Sequence, residues 1–172
     1  LIISAGNYLF LKEDFLTRNF VINFHGAPLP HYGGSAGPAF ALIKKEKRFG
    51  CTFQKMIKDL DAGPILSRYY FDIEENMTSY DIDKKVIEYG SKNVLKTLND
   101  FFDKKTNLIS FDQKLLIINK RSELDKYQYI AFENLNKDDN LRIIKAFSWP
   151  GVLDPAYTII NNQRINLTYK SS

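Results

Sequence analysis

The sequence predicts an α/β fold in which a mostly parallel sheet is covered by helices on both faces. Two almost wholly apolar runs, LIISAG and FVINFH, are separated by about a dozen residues that include a possible short helix, LKEDFLTR. Apolar runs of this kind are typical of strands buried on both faces, and the connection is long enough for a parallel crossover. The 172 residues are 44% hydrophobic and 14% aromatic, so the chain can bury a core of this kind.

The segments that follow alternate between helix and strand signals. A loop rich in Gly and Pro, residues 26–34, leads into SAGPAFALIKKEKR, where Ser35 is expected to cap a helix and Pro38 to lie in its first turn. The last turns of that helix are expected to hold four cations that favour its dipole, Lys44, Lys45, Lys47 and Arg48. Strands are expected over GCTFQKMI and ILSRYYFDI, with LDAGP as the loop between them.

The longest predicted helix covers about residues 79 to 103. Thr78 and Asp81 form a capping-box pattern at its start, with Asp in place of the usual Glu. Apolar residues recur along it at helical spacing, and Gly90 is a weak point within it.

The pattern changes near residue 105, where we place a boundary between a core, residues 1–105, and a small α+β tail, residues 106–172. In the tail, LISFDQKLLIIN predicts one or two short strands and KDDNLRIIKAF predicts a short helix. The two alternating runs AYTII and RINLTY flank the turn NNQ, which is a hairpin signal.

Charge and cysteine content restrict the class of protein. Lys and Arg number 24 against 20 acidic residues, and they are interleaved with acids, which indicates solvated faces more than a surface for nucleic acid. The single cysteine, Cys51, excludes an internal disulfide and fits a reducing compartment. No apolar run approaches the roughly 20 residues that cross a bilayer, and no secretory signal is evident. We expect a soluble, cytoplasmic protein without a membrane or nucleic-acid partner. Because the chain opens on Leu1 inside an apolar run, we also expect it to be the later part of a longer polypeptide.

Both histidines of the chain lie in one stretch, VINFHGAPLPHYGG. Asn23 and His25 are two apart on a predicted strand, so their side chains share a face at its carboxyl end, where α/β sheets bind ligands. An amide that donates to an oxyanion, beside an imidazole that takes a proton or adds positive charge, would suit acyl chemistry. The alternative is structural: a buried His bonded to a backbone carbonyl, and an Asn that caps the loop.

Asp61 is the third candidate. It lies in DLDAGPIL, directly before a loop of small residues and another apolar strand. If the two strands are neighbours, its carboxylate reaches the same edge of the sheet, where it would orient the imidazole of His25 and raise its basicity. The alternative is an Asx-turn, in which the carboxylate bonds its own backbone.

Together the segments NFHGAPLPHYGG, PAFALI and GCTFQKMIKDLDAGPIL resemble the formyltransferases that use 10-formyltetrahydrofolate. The order and spacing of Asn-x-His, Leu-Pro-x-Tyr, Gly-Val-Thr and Leu-Asp-x-Gly match over about residues 1 to 75. The resemblance implies a Rossmann-like core and catalytic roles for Asn23, His25 and Asp61. Asn23 would donate to the developing oxyanion, His25 would accept the amine proton or act as an imidazolium, and Asp61 would hold His25. No metal is implied, and the sequence shows no cluster of potential ligands.

The resemblance also places the folate near AGNYLFL and IKDLD. The first segment would supply apolar walls and the second would supply backbone hydrogen bonds. The cofactor-binding residues expected from this are Tyr8, Phe10, Leu11, Lys58, Asp59 and Leu60. Simple core packing is the alternative for the first three.

The chain departs from the family pattern at two positions and in its extent. Gly33 follows the loop tyrosine where the family often has Arg, and Cys51 replaces a common Val. The first strands and helices of a Rossmann-like domain are not in this sequence, and we expect a complete enzyme to need them.

The tail resembles the corresponding region of sugar N-formyltransferases. The resemblance is carried by the triplet 145–147, the Pro-Gly pair 150–151, the Pro-Ala-Tyr triplet 155–157 and the Asn161–Asn162 turn. It implies that the small-molecule substrate is a nucleotide-linked amino sugar. Trp149 is expected to anchor the tail on the core, with sugar stacking as the alternative.

Several alternatives stay open at this point. The chain could be a fragment of a methionyl-tRNA formyltransferase, or a non-catalytic folate-binding module. The apolar tail could form a homodimer contact. His31 is expected to shape or line the substrate loop, with simple surface exposure as its alternative.

Overall fold

A computed structural model describes residues 1–6 and 11–169 of the chain. The strands and helices are, in chain order, β1 (Ile2–Ala5), α1 (Glu13–Arg18), β2 (Val21–His25), β3 (Gly33–Gly34), α2 (Gly37–Ile43), β4 (Arg48–Lys55), β5 (Ile65–Asp72), α3 (Ser79–Phe102), β6 (Ile118–Asn119), α4 (Asp138–Phe147), β7 (Ala156–Ile160) and β8 (Gln163–Leu167). The tail also contains short 3₁₀ helices, at Gln113–Leu115, Arg121–Tyr127 and Phe132–Asn134.

The main sheet has the strand order β1-β2-β4-β5. The predicted crossover is present, because β1 and β2 are parallel and are joined through α1. The other two pairings, β2 with β4 and β4 with β5, are antiparallel. The predicted α/β class is confirmed, and within the described residues the sheet is mixed rather than mostly parallel. The loop between β4 and β5 is too short for a crossover, so those two strands pair as a hairpin.

The centre of the core is β4, which is buried along nearly its whole length. Phe49 and Phe53 are almost fully buried there, and Cys51 between them has no exposed surface. Burial raises the pKa of the Cys51 thiol to about 12, so the residue stays a protonated thiol that packs as a small apolar side chain.

The helix after the glycine-rich loop is shorter than the sequence predicts. Its N-cap is Ala36, with a φ of 57° and no side-chain hydrogen bond, so the prediction that Ser35 caps it is wrong. The helix ends at Ile43, and the four cations expected in its last turns lie instead in the following turn and at the start of β4. Pairing of Arg48 with Asp72 on β5 extends the strand toward the helix, so sheet formation prevails over helix propensity here.

The long helix agrees with the prediction at its start and in its extent. Thr78 caps α3, and the reciprocal hydrogen bonds with Asp81 complete the capping box. Gly90 lies where α3 crosses the sheet, against the ring of Phe24. The glycine is therefore a point of close helix-to-strand contact. Within the described ranges, none of the helices combines the length and apolarity needed to cross a membrane.

The tail packs on the core through α4 and the predicted β7–β8 hairpin. The turn residues Asn161 and Asn162 have φ values of 49° and 61°, the left-handed pair that a tight hairpin turn requires. Of the strands expected in LISFDQKLLIIN, the described chain forms only the two-residue β6 and an isolated bridge at Ile109. One cluster of buried residues joins tail side chains such as Leu124 and Phe147 to the core, so the boundary at residue 105 stays a prediction.

Gly90→Ala should destabilise the protein by about 1–3 kcal/mol, because overpacking at the helix contact outweighs the roughly 1 kcal/mol that alanine gains in helix propensity. A Cβ at this position would lie 2.3 Å from a ring carbon of Phe24. Urea unfolding measures the change. Ser91→Ala, at the exposed neighbouring position, should stay within about 0.5 kcal/mol of the original chain. Equal stability of the Gly90→Ala protein and the original would contradict the close packing of α3 on β2.

Candidate active site

A cleft of about 1150 Å³ lies between the carboxyl end of β2, α3 and the loop before β5. Asn23 and His25 both line it, as their two-residue spacing on a strand predicts. Asp61 lines it as well, from the loop between β4 and β5. The fold therefore brings together in one cleft the three residues predicted to be catalytic.

The imidazole of His25 lies between two hydrogen-bond acceptors. Its Nδ1 is 3.5 Å from Oδ1 of Asp61, and the two side chains are only 12% and 6% exposed. Its Nε2 is 2.7 Å from the backbone carbonyl oxygen of Tyr32. The hydrogen bond to a backbone carbonyl that the structural alternative expects is therefore present at Nε2, and the carboxylate that the catalytic prediction expects lies at Nδ1. A carbonyl and a carboxylate both only accept, so each ring nitrogen faces a group to which an N–H of the imidazole can donate.

Asp61 is held by donors from two other segments. The backbone N–H of Gly34 donates to its Oδ2 at 2.7 Å, and Nε2 of Gln54 donates to its Oδ1 at 3.1 Å. These bonds satisfy the carboxylate without the Asx-turn that a short-range pattern would predict. The backbone of Asp61 has a φ of 52°, a left-handed conformation that Asp adopts more readily than most residues.

The loop that carries Gly34 is fixed to the sheet at one end and to the tail at the other. Thr52 donates from its hydroxyl to the carbonyl of Ala27 and accepts from the N–H of Leu29. Gly34, with a φ of 83°, packs so closely on Asn119 that a Cβ would lie 2.3 Å from the carbonyl oxygen of Asn119. The loop therefore presents its Gly34 N–H to Asp61 from a defined position.

Gly33 lies in close contact with the tail. A Cβ at residue 33 would lie 2.8 Å from Cδ1 of Ile118 and 3.2 Å from the carbonyl oxygen of Ile117, because β3 pairs with β6 from the tail. A larger residue here, such as the Arg of the family pattern, would require these tail residues to shift.

The residues predicted to bind the cofactor lie partly in the cleft. Leu11, Lys58, Asp59 and Leu60 line it, and Leu60 is 48% exposed. The ammonium of Lys58 pairs with Glu13 at 3.0 Å. The remaining two predictions, Tyr8 and Phe10, fall outside the described residues.

Two further sequence predictions concern His31 and Trp149. His31 is exposed and is not among the described residues that line the cleft, so the surface alternative describes its position. Trp149 is 8% exposed, belongs to the main core cluster and also lines the cleft, and its indole N–H lies beside the carboxylate of Asp83. It anchors the tail on the core, as predicted.

Sequence reasoning missed Gln54, Asn119 and Asp83. A signal for Gln54 was present in GCTFQKMI, where polar residues alternate along an apolar strand. In the antiparallel register Gln54 lies opposite Asn23 and Thr52 lies opposite His25, so these polar side chains share one face. Asn119 and Asp83 gave no such signal, because their positions depend on how the tail and α3 pack.

The described residues do not form a cluster of potential metal ligands. Across residues 1–6 and 11–169, no group of three or more His, Cys, Asp or Glu side chains is arranged to hold a metal ion.

The sequence matches the family described as "Formyl transferase" over residues 1–98. The methionyl-tRNA formyltransferase of Clostridium tetani is 33% identical over 151 residues, which are 87% of this chain and 48% of that protein. The chain spans about half the length of such relatives.

Solved structures share the fold at lower identity. A sugar N-formyltransferase from Shewanella sp. FDAARGOS_354 superposes with a TM-score of 0.81 at 20% identity, covering 99% of this chain and 69% of that one. The N-formyltransferase from Helicobacter canadensis, in complex with folinic acid and dTDP-3-aminofucose, gives a TM-score of 0.75 at 18% identity, with 95% and 59% coverage.

Asp61→Ala should be less stable than Asp61→Gly by about 1 kcal/mol, because alanine is strained at a φ of 52° and glycine is not. Both variants lose the same bonds from Gly34 and Gln54, so the comparison isolates the backbone. Thermal or urea unfolding of the pair measures the difference. An alanine variant as stable as the glycine variant would contradict the left-handed conformation at this position.

Proposed function

This chain belongs to the formyl transferase family, and on that premise we propose that its protein transfers a formyl group from 10-formyltetrahydrofolate to the amine of a nucleotide-linked amino sugar. The observation that carries the proposal is the 3.5 Å approach of the Asp61 carboxylate to the His25 imidazole, in a cleft that Asn23 also lines. An amide, an imidazole and a carboxylate in one cleft are the groups that acyl transfer to an amine requires.

In the proposed reaction the substrate nitrogen attacks the formyl carbon, and the bond from that carbon to N10 of the folate breaks. The substrate amine loses one proton and N10 gains one. Asn23 donates to the formyl oxygen as negative charge develops there. His25, between the Tyr32 carbonyl and Asp61, is better placed to add positive charge as an imidazolium than to act as a free base. Asp61 orients that ring and helps the amine proton leave.

The donor is proposed to bind at the end of the cleft formed by Leu11 and the loop residues 58–60. Apolar side chains there, such as Leu11 and the exposed Leu60, offer a wall for an aromatic ring, and the loop backbone offers hydrogen bonds. The complex of the Helicobacter canadensis enzyme with folinic acid supports a folate in this fold.

The acceptor is proposed to bind toward the tail, where Lys120 and Arg121 line the cleft. Both are exposed, and neither forms an ion pair within the described residues, so they are available to the phosphates of a sugar nucleotide. Other surface cations of the described residues are paired with acids, as in Lys45–Asp139 and Arg48–Asp72, which argues against RNA as the acceptor. The dTDP-3-aminofucose bound in the Helicobacter canadensis complex supports the same class of acceptor.

A second candidate acceptor is methionyl-tRNA, which the 33% identity to the Clostridium tetani enzyme favours. Two assays of the full-length protein with 10-formyltetrahydrofolate separate the candidates, one with a panel of nucleotide-linked amino sugars and one with methionine-charged initiator tRNA. Release of tetrahydrofolate with a sugar amine supports the proposal. Release with the charged tRNA alone would replace it. Folate binding without release in either assay would favour a non-catalytic binding module.

His25→Ala should lower kcat by at least about 100-fold, because the reaction loses its imidazole while the fold is retained. Tetrahydrofolate release gives the rate, and circular dichroism verifies the fold. His31→Ala is the matched control, since it removes the other histidine from the same segment at an exposed position, and it should keep the original rate. A rate in His25→Ala equal to the original would refute the role given to this residue.

Gln54→Met should lower kcat about tenfold and lower stability by about 1 kcal/mol, because the bond lost from Asp61 outweighs the removal of an unsatisfied amide oxygen. The variant loses the hydrogen bond that holds Oδ1 of Asp61, and it also loses a buried amide oxygen that no described donor satisfies. Thr158→Val is the control, because the hydroxyl of Thr158 is likewise buried and without a partner in the described chain but lies outside the cleft. Unchanged kcat in Gln54→Met would show that Asp61 does not need this support.

A further inference from the structure

One face of α3 forms a wall of the cleft. Its lining residues recur at helical spacing, so they form a single stripe. The stripe consists of Asp83, Val86, Ile87, Gly90, Ser91 and Val94. Only its first member carries a charge, so Asp83 is the polar end of a wall that is otherwise apolar or small.

Contacts along the stripe place Asp83 beyond the carboxyl end of β2. Gly90 packs on Phe24, and Val86 lies 3.4 Å from the position that a Cβ on Gly26 would occupy. The helix therefore runs antiparallel to β2, and Asp83 lies three residues, about 4.5 Å along the helix axis, past the level of Gly26. There it meets Trp149 from the tail, which lines the same cleft and has its indole N–H beside the carboxylate.

The carboxylate of Asp83 keeps unused hydrogen-bonding capacity. A carboxylate has about four acceptor positions, and the indole N–H of Trp149 fills at most one of them. Within the described residues no cation pairs with it. Burial raises the pKa of Asp83, while the bond from Trp149 lowers it. An amide would anchor the indole equally well without the cost of desolvating a charge, so anchoring alone does not account for an acid here.

We propose that Asp83 determines which acceptor the enzyme uses, by accepting a hydrogen bond from a hydroxyl group on the ring of the amino sugar. The inference rests on the proposed function and deepens it. A hydroxyl is the neutral donor that a sugar ring offers in several positions, and a carboxylate accepts it strongly. The same charge repels phosphate, so the nucleotide end must point away from Asp83, toward Lys120 and Arg121 in the same cleft.

The test is Asp83→Asn in the full-length protein, with KM and kcat measured for the amino sugar that the original enzyme formylates fastest. The acceptor KM should rise about tenfold, while the KM for 10-formyltetrahydrofolate should not change. Analogues of that sugar, each lacking one ring hydroxyl, complete the cycle. For the analogue that lacks the hydroxyl bound by Asp83, the acceptor KM of the original enzyme should rise by the same factor. With that analogue, Asp83→Asn should raise the KM little further, because the group that Asp83 would bind is already absent.

Trp149→Phe is the control for a merely structural role, because it keeps an aromatic ring and removes the indole N–H. If Asp83 only anchors the tail, Trp149→Phe will lower the melting temperature, while Asp83→Asn will keep the melting temperature and the acceptor KM unchanged, which would overturn the inference. An Asp83→Asn effect of equal size on every deoxy analogue would overturn it too. Failure of the original enzyme to formylate any amino sugar would reject the proposed function and this inference together. If the original enzyme formylates an amino sugar and Asp83→Asn leaves the acceptor KM unchanged, only the inference is rejected.

Discussion

The interaction on which the site depends is the burial of one carboxylate, that of Asp61. A charge that is only 6% exposed is costly unless hydrogen bonds compensate it. Hydrogen bonds come from two separate segments, the N–H of Gly34 in the glycine-rich loop and the amide of Gln54 on β4, and the imidazole of His25 on β2 lies 3.5 Å away. Each segment must be in place for the carboxylate to be stable, so the requirement that stabilises Asp61 also assembles the cleft.

The tail takes part in this assembly. The strand β6 pairs with the loop strand β3, and its residue Asn119 packs against Gly34 so closely that only glycine fits. Trp149 brings a second contact, to Asp83 on α3. Tail and core thus share one buried cluster and one cleft, and the position of the Gly34 N–H depends on both.

The lining of the cleft combines two kinds of side chain, which suits a reaction between two ligands. Apolar side chains such as Leu11 and Leu60 line it, and so do the charged Asp83, Lys120 and Arg121. The proposed group transfer needs a flat, mostly apolar donor and a charged, hydroxyl-rich acceptor to meet at the three polar residues of the site. Positioning of this kind supplies much of the rate enhancement when two bound molecules react.

The sequence by itself determined the local elements and the identity of the three polar residues of the site, Asn23, His25 and Asp61. The capping box of α3, the Asn161–Asn162 turn and the spacing of Asn23 and His25 are short-range features, and each depends on neighbours in the chain. Only the tertiary structure decided the antiparallel register that sets Gln54 opposite Asn23, the early end of α2, and the placement of Asp83 and Asn119 at the cleft. These features arise from contacts between segments distant in sequence, where packing and burial outweigh local propensity, so no pattern within a single segment encodes them.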